Sequence, residues 1–392
     1  MKIGIFSNYF EEYRDSCGYS ILYKMARKMA NLGHRVCFVT PSNGCCGFKV
    51  MKANQQFRFI TTPGIFPGRF RRGAFGLWDL VFKCAVAIQY QFDVIHVING
   101  HRPANIVPCI IAKRFHGTMI VDEVWEWLGK GGYADTAKGV EKLKSLYDVL
   151  TEGRFTRCYD KVITISTKLN ERFEKFTSAT VLPGGADIEC LKDYSMYDVR
   201  DELGVGRDLF VIGMSNVSPS DHEDNMSFFK ALKRLGGEYQ KLKLILTCPH
   251  RDYVEKIARE YDLGAQIVYP GWVSFADYNK YLSACDIFVL PLPDRLINQA
   301  RWPNKMSDYI SLNRPVITNP TGDVKTFIEK YRIGLFCEAN QDGYYKSLKR
   351  ILDGAIDLAD LNRDSPWVAR NILSFERRVR DILCVYADKA KS

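Results

Sequence analysis

The chain has 392 residues, and 55 Lys and Arg against 45 Asp and Glu give it a formal charge of +10. With 46% hydrophobic and 26% charged residues, disorder, collagen and coiled coil are excluded as its main state. The length allows two or three domains whose cores need no disulfide or metal staples, and the positive charge favours an anionic partner: a membrane surface, a nucleic acid or a phosphate-rich substrate.

In chain order, residues 2–7 read as a buried strand, too short and too soon polar for a signal peptide. Residues 19–32 set Leu22, Met25, Ala26 and Met29 at helical spacing, and Gly33 closes that helix. A strand over 35–40 ends in turn chemistry at Pro41 and Gly44. A second helical stripe over 77–90 runs through Leu77, Leu80, Val81, Cys84, Ala85 and Ile88, a face expected to turn inward. Strands follow at 94–98, 119–121 and 161–165. The alternation then restarts with strand 209–214, helix 225–235, strand 242–247, helix 253–261, short strand 267–269, helix 275–284 and strands 287–290 and 316–318. Continuous apolar strands between helices predict parallel sheets covered on both faces. The expected fold is α/β, with two tandem Rossmann-like doubly wound domains facing across a cleft. Turn residues at 182–187 and a polar run over 189–206 place the first domain at 1–190 and the second at 191–369. The C-terminal helix, within 370–392, is expected to return to the first.

No run of about 18 apolar residues occurs, so no membrane-spanning helix is expected. The 12 cysteines are scattered without C-x-x-C, which argues against a zinc site or a disulfide framework. Cys84, Cys109, Cys248, Cys285 and Cys384 lie in apolar runs and read as buried thiols of a reducing, cytoplasmic compartment.

Open parallel sheets bind ligands at the carboxyl ends of their strands, so the segments just after each strand hold the candidates. Gly18, before the first helix, would let a phosphate approach backbone N–H groups. Neither G-x-G-x-x-G nor G-x-x-x-x-G-K-[ST] occurs, which disfavours a nicotinamide dehydrogenase and a P-loop NTPase. His101 and Arg102 follow strand 94–98 and suit a substrate hydroxyl and a phosphate, or else an ordinary surface loop. His96, inside the strand, reads as a core histidine. Asp122 and Glu123 stand where strand 119–121 ends, beside Trp125, Glu126 and Trp127. Carboxylates bind hydroxyls and indoles stack on sugars, although acids also favour helix starts and tryptophans the core.

In the second half, Asn298, Arg301, Asn304, Lys305 and Asp308 cluster before and within a helix start, where cations and the helix dipole suit a diphosphate. Asp308 lies one turn in and suits ribose hydroxyls. Gly322, with Asp323, opens the next helix and offers its amides. The loop over 64–78 interleaves Arg69, Phe70, Arg71, Arg72 and Trp78, a mixture suited to anionic headgroups or a lipid-linked acceptor. It also suits a basic surface loop or, ranked lower, single-stranded nucleic acid.

At these residues the chain resembles the retaining glycosyltransferases of family 4, which have the GT-B fold. The likeness runs through Leu32-Gly33-His34-Arg35-Val36, Phe92-Asp93-Val94-Ile95-His96, Pro183-Gly184-Gly185-Ala186-Asp187, Val268-Tyr269-Pro270-Gly271-Trp272 and 303–334. The resemblance implies a nucleotide-sugar donor, UDP- or GDP-linked, on the second domain, and an E-x7-E pair for donor sugar and ribose. Asp308 matches the second acid, while Ala300 stands at the first. The Arg and Lys that the family carries after the first strand of its second domain are missing from the loop over 215–223. Arg301-Trp302-Pro303-Asn304-Lys305-Met306-Ser307-Asp308-Tyr309 is similar to a branch with R-x-P-N-K-x-x-D-Y in place of E-x7-E. The implied activity is metal-independent transfer of a sugar to an acceptor hydroxyl of a glycan, polysaccharide or glycolipid, in the cytoplasm or at the inner face of the membrane. His101, Asp122 and Glu123 are its expected catalytic residues. The alternatives are a nucleotide-sugar epimerase or hydrolase using Asp122 and Glu123 as acid and base, and a binding protein that has lost catalysis.

Overall fold

A computed structural model describes residues 1–8, 21–42, 48–52, 54–64, 73–98, 100–192, 194–273 and 275–388. Gly18, Arg69, Phe70, Arg71 and Arg72 lie outside the described residues. The chain forms two compact units, one of Met1–Pro183 with Arg378–Ser392 and one of Gly184–Arg377.

The first unit is built on eight strands: β1 (Lys2–Phe6), β2 (Arg35–Pro41), β3 (Lys49–Lys52), β4 (Phe57–Thr62), β5 (Val94–Ile98), β6 (Met119–Val124), β7 (Lys161–Thr164) and β8 (Ala179–Val181). They lie in the order β3-β4-β2-β1-β5-β6-β7-β8, and all pairs are parallel except the β3–β4 edge hairpin. Ile5 pairs with Phe38 on one side and His96 on the other. These strands are apolar throughout because helices cover both faces. Helix Ile21–Asn31 packs Leu22, Met25 and Met29 on one face with the C-terminal helix Phe375–Ala387, whose Val379, Ile382 and Tyr386 join the same core.

Two inward faces differ from expectation. In helix Leu77–Tyr90 the buried residues include Asp79 and Lys83, while Leu77, Val81 and Ile88 are exposed. The polar pair is drawn in because Lys83 Nζ donates to Asp79 (2.8 Å) and to the Ser7 carbonyl (2.9 Å), and Thr62 Oγ1 donates to Asp79 (2.6 Å). Of the cysteines read as buried, Cys109, Cys248 and Cys285 are, Cys84 is half-buried and Cys384 is exposed on the outer face of its helix.

The second unit has six parallel strands: β9 (Phe210–Met214), β10 (Leu242–Leu246), β11 (Ile267–Val268), β12 (Ile287–Leu290), β13 (Val316–Thr318) and β14 (Gly334–Phe336). Their order is β11-β10-β9-β12-β13-β14, so the winding reverses between β9 and β12. Gly213 on β9 lies flat under Phe288; a Cβ there would come within 2.6 Å of that ring. The reversal leaves a crevice at the carboxyl ends of β9 and β12, where open α/β sheets take their ligands. The first unit has the same reversal between β1 and β5.

Candidate functional site

At the second unit's reversal point, helix Asn304–Ser311 is pinned by Tyr309. Its ring stacks on Phe288 at 4.0 Å, and its hydroxyl accepts from the Ser215 backbone N–H (2.8 Å) while also bonding Ser215 Oγ (2.9 Å). A buried aromatic with a satisfied hydroxyl is a rigid anchor, so the start of this helix is fixed against the end of β9. Its other side is fixed by Gly184. Ser307 Oγ donates to the Gly184 carbonyl (2.9 Å) and accepts from Trp302 Nε1 (2.9 Å). A Cβ at Gly184 would lie 2.5 Å from Asn304 Oδ1, so only glycine lets Asn304 lie there.

Asp224, on the first turn of helix His222–Glu238, is the buried hub of this edge. It pairs with Arg295, stands 3.9 Å from Arg301 and accepts from Asn298 Nδ2 at 3.2 Å. Asn298 also donates to the Pro293 carbonyl (2.8 Å), and its Oδ1 is buried without a hydrogen-bond partner. Lys305 is half-buried; burial pulls its ammonium below the ordinary lysine range, Asp221 opposes that shift, and the Arg301 cation adds to it. Asp308 lies near enough to Lys305 to act on its charge. Gly322, at φ +53°, is pressed against the Gln299 backbone, where a Cβ would sit 2.8 Å from the carbonyl oxygen. That contact seats the start of helix Gly322–Lys330 beside Asn298. Asn298, Arg301, Asn304, Lys305, Asp308 and Gly322 are thus gathered at one edge of one sheet.

Sequence reasoning missed Asp224 and Arg295. Asp224 lies in the first turn of the helix that follows β9, and Arg295 on the segment after β12. The loop after β9 lacks an Arg or Lys, and Arg295 is the guanidinium that Asp224 draws toward this edge instead.

In the first unit His101, Asp122 and Glu123 are all turned inward, each no more than 3% exposed. Glu123 accepts from Trp125 Nε1 (2.6 Å), bonds His96 Nε2 (2.9 Å) and pairs with Arg378, while His96 Nδ1 reaches the Tyr386 hydroxyl (2.6 Å). Burial would raise the Glu123 carboxyl, but the Arg378 guanidinium and His96 hold it down at about 2. Glu123 is therefore the anion that fastens the C-terminal helix to the first sheet. His101 Nε2 and Arg102 both bond Asp148, at 2.8 Å and by a two-pronged contact of 2.9 and 2.7 Å. Burial opposes ionisation of Asp148, yet His101 and Arg102 hold it at about 2.

Asp122 accepts from the Gly100 N–H (2.8 Å). Burial pushes its carboxyl up to about 8 despite that bond, with Glu152 adding to the rise. His101, Asp122 and Glu123, the residues expected to be catalytic, are thus buried and held by protein partners. Arg102 is part-buried against Asp148, and Trp78 is exposed.

Residues 20–181 match the family model described as glycosyl transferase 4-like domain, and residues 210–354 the model described as glycosyl transferases group 1. No curated protein matches the sequence. Among solved structures, sucrose-phosphate synthase from Thermosynechococcus elongatus is similar with a TM-score of 0.79 and 14% identity over 100% of both chains. HepE from Anabaena in complex with UDP-glucose has a TM-score of 0.67 and 14% identity, over 98% of this chain and 100% of that one. The α,α-trehalose 6-phosphate synthase from Burkholderia multivorans has a TM-score of 0.67 and 10% identity, over 100% of this chain and 99% of that one. At these identities the likeness is one of fold, the GT-B fold.

Proposed function

We propose, for a chain that is a glycosyltransferase of the group 1 and 4-like kind with the GT-B fold, that it moves a sugar from a nucleotide diphosphate donor to an acceptor hydroxyl. The observation that carries this reading is the cation cluster at the β9/β12 edge, with Arg301 and Lys305 at the head of helix Asn304–Ser311 and Arg295 beside them on Asp224. In that reading Arg301 and Lys305 hold the diphosphate with the amides of the helix starts at Asn304 and Gly322. Asp308 takes the ribose hydroxyls, and the unpartnered Asn298 Oδ1 accepts from a sugar hydroxyl.

Charge develops on the diphosphate as the glycosidic bond breaks, so cations already fixed there favour the transition state over the ground state. Protein supplies that positive charge, and no metal is invoked. Retention of configuration, the R-x-P-N-K-x-x-D-Y branch and a glycan, polysaccharide or glycolipid acceptor belong to the same proposal. So does an acceptor or membrane contact through Arg69–Arg72 and Trp78. UDP is the first base to try, because the Anabaena protein is solved with UDP and UDP-glucose.

Titration calorimetry against UDP- and GDP-sugars tests the reading. One donor binds, and Arg301→Ala or Lys305→Ala weakens it about 10- to 100-fold each, the worth of a charge-assisted bond. No binding by any donor, or equal binding by both variants, would sink the assignment.

A further inference from the structure

The amino ends of the first sheet's strands, opposite its crevice, carry a basic hollow. The register sets Lys2 of β1 beside Arg35 of β2, and Cys37, two residues on, beside Arg58 of β4. Partners in register, and residues two apart on a strand, share a face, so Lys2, Arg35 and Arg58 stand on one face together. The other face of the same strands sends Ile3, Ile5, Val36, Phe38, Phe57 and Phe59 into the core. On the basic face lies a cavity of about 470 Å³, walled by the three cations with Gln56, Tyr90 and Phe92, among others.

Like charges around one cavity repel unless something answers them. Among the described residues none of the three enters an ion pair. Asp93 turns a carboxylate oxygen to the Lys2 backbone N–H (2.6 Å). Helix Leu77–Tyr90 ends at the cavity wall, and its last carbonyls contribute about half a negative charge. Burial pushes the Cys37 thiol up to about 11 against the pull of Arg58, so no thiolate forms there at neutral pH. Carboxylate and helix end together offset about half of the positive charge, and the remainder awaits an anion.

The walls specify what kind. Arg58 lies over the Tyr90 ring at 5.6 Å, and that ring stacks on Phe92 at 5.9 Å. A guanidinium resting on a ring keeps its N–H edge for a two-pronged grip on phosphate oxygens. Gln56 has a buried side-chain oxygen with no hydrogen-bond partner. A phosphate dianion has no proton to give that oxygen, whereas a hydroxyl does. The volume lies in the range of small-molecule sites.

We propose that this cavity is a second ligand site of the protein, one that binds a soluble sugar phosphate or similar phosphorylated polyol. It goes beyond the transfer reaction, since none of its residues belongs to the cation cluster of the second unit. A ligand there ties the starts of β1, β2 and β4 together and stabilises the first unit by mass action.

The experiment is titration calorimetry and calorimetric melting of the full chain with ribose 5-phosphate and with glucose 6-phosphate, beside inorganic phosphate and the unphosphorylated sugars. At least one sugar phosphate binds, more weakly as salt rises, and raises the first unit's transition. Inorganic phosphate binds about tenfold more weakly, and the plain sugars more weakly still. Arg58→Gln and Arg35→Gln each lower sugar-phosphate affinity by about tenfold, and Gln56→Ala lowers it several-fold more than it lowers that of inorganic phosphate. Arg35 is exposed, so its variant keeps the comparison open if removing Arg58 from its ring disturbs the fold. Binding of UDP- and GDP-sugars is unchanged in the Arg35 and Arg58 variants, which separates this site from the donor reading. No binding by either sugar phosphate, equal binding of inorganic phosphate, or affinity untouched by the Arg35 and Arg58 substitutions overturns the proposal. Sugar-phosphate binding that Arg301→Ala abolishes and Arg58→Gln spares also overturns it, and places the ligand on the second unit.

Discussion

Asp122→Asn separates a structural carboxyl from a catalytic one. Asp122 is buried, accepts from Gly100 N–H and has its carboxyl raised from 3.8 to about 8. Below pH 3.8 the folded and unfolded chains both hold the proton, and Asp122 costs nothing. Between 3.8 and 8 the folded chain keeps a proton that the unfolded chain has released, so stability falls as pH rises; above 8 the cost is constant. At pH 7 the difference amounts to about 4 kcal/mol. Asparagine cannot ionise and keeps an oxygen for Gly100, but its extra N–H groups need partners, which takes back about 1–3 kcal/mol. The expected net gain at pH 7 is about 1–3 kcal/mol, shrinking to nothing or below near pH 4.

Because the two units need not unfold together, calorimetry that resolves the first unit's transition is the assay, run from pH 4 to pH 8 beside a transfer assay. A stability difference that does not grow with pH would refute the reasoning. Turnover that falls about 100-fold or more at unchanged stability would also refute it, returning Asp122 to the chemistry.

The Arg378–Glu123 pair makes the opposite pH statement. Glu123 sits at about 2 against an ordinary 4.5, so its contribution is present above 4.5 and lost as pH falls toward 2. Arg378→Met leaves a buried anion and destabilises the first unit by about 3–5 kcal/mol, moving acid unfolding to higher pH in a circular-dichroism titration. Asp224→Asn removes the charge that orients Arg295 and Arg301. It weakens donor binding by roughly tenfold, and combined with Arg301→Ala it gives less than the sum of the two effects, since Asp224 acts in part through the Arg301 guanidinium. A fully additive double variant in titration calorimetry would show that Asp224 works elsewhere.

Much of this protein could be read from its sequence. The alternation of continuous apolar runs with 3.6-period stripes determined two doubly wound sheets, because a strand buried on both faces has no polar side to show. The segment 298–309 stood out because it sets cations before a helix start, and Asn298, Arg301, Asn304, Lys305 and Asp308 lie with Gly322 along one edge of the second sheet. What the sequence could not carry was direction. Leu77, Val81 and Ile88 follow the helical period of a core stripe, yet Asp79 and Lys83 take the inside because Ser7 and Thr62, distant along the chain, give them partners. Asp122 and Glu123 end a strand, and Arg378, more than 250 positions later, closes over Glu123. Asp224 and Arg295 are unremarkable apart and become a pair only when β9 and β12 lie side by side. Periodicity is local and decides which elements form; whether a charge faces in or out depends on partners that only the tertiary fold brings within reach.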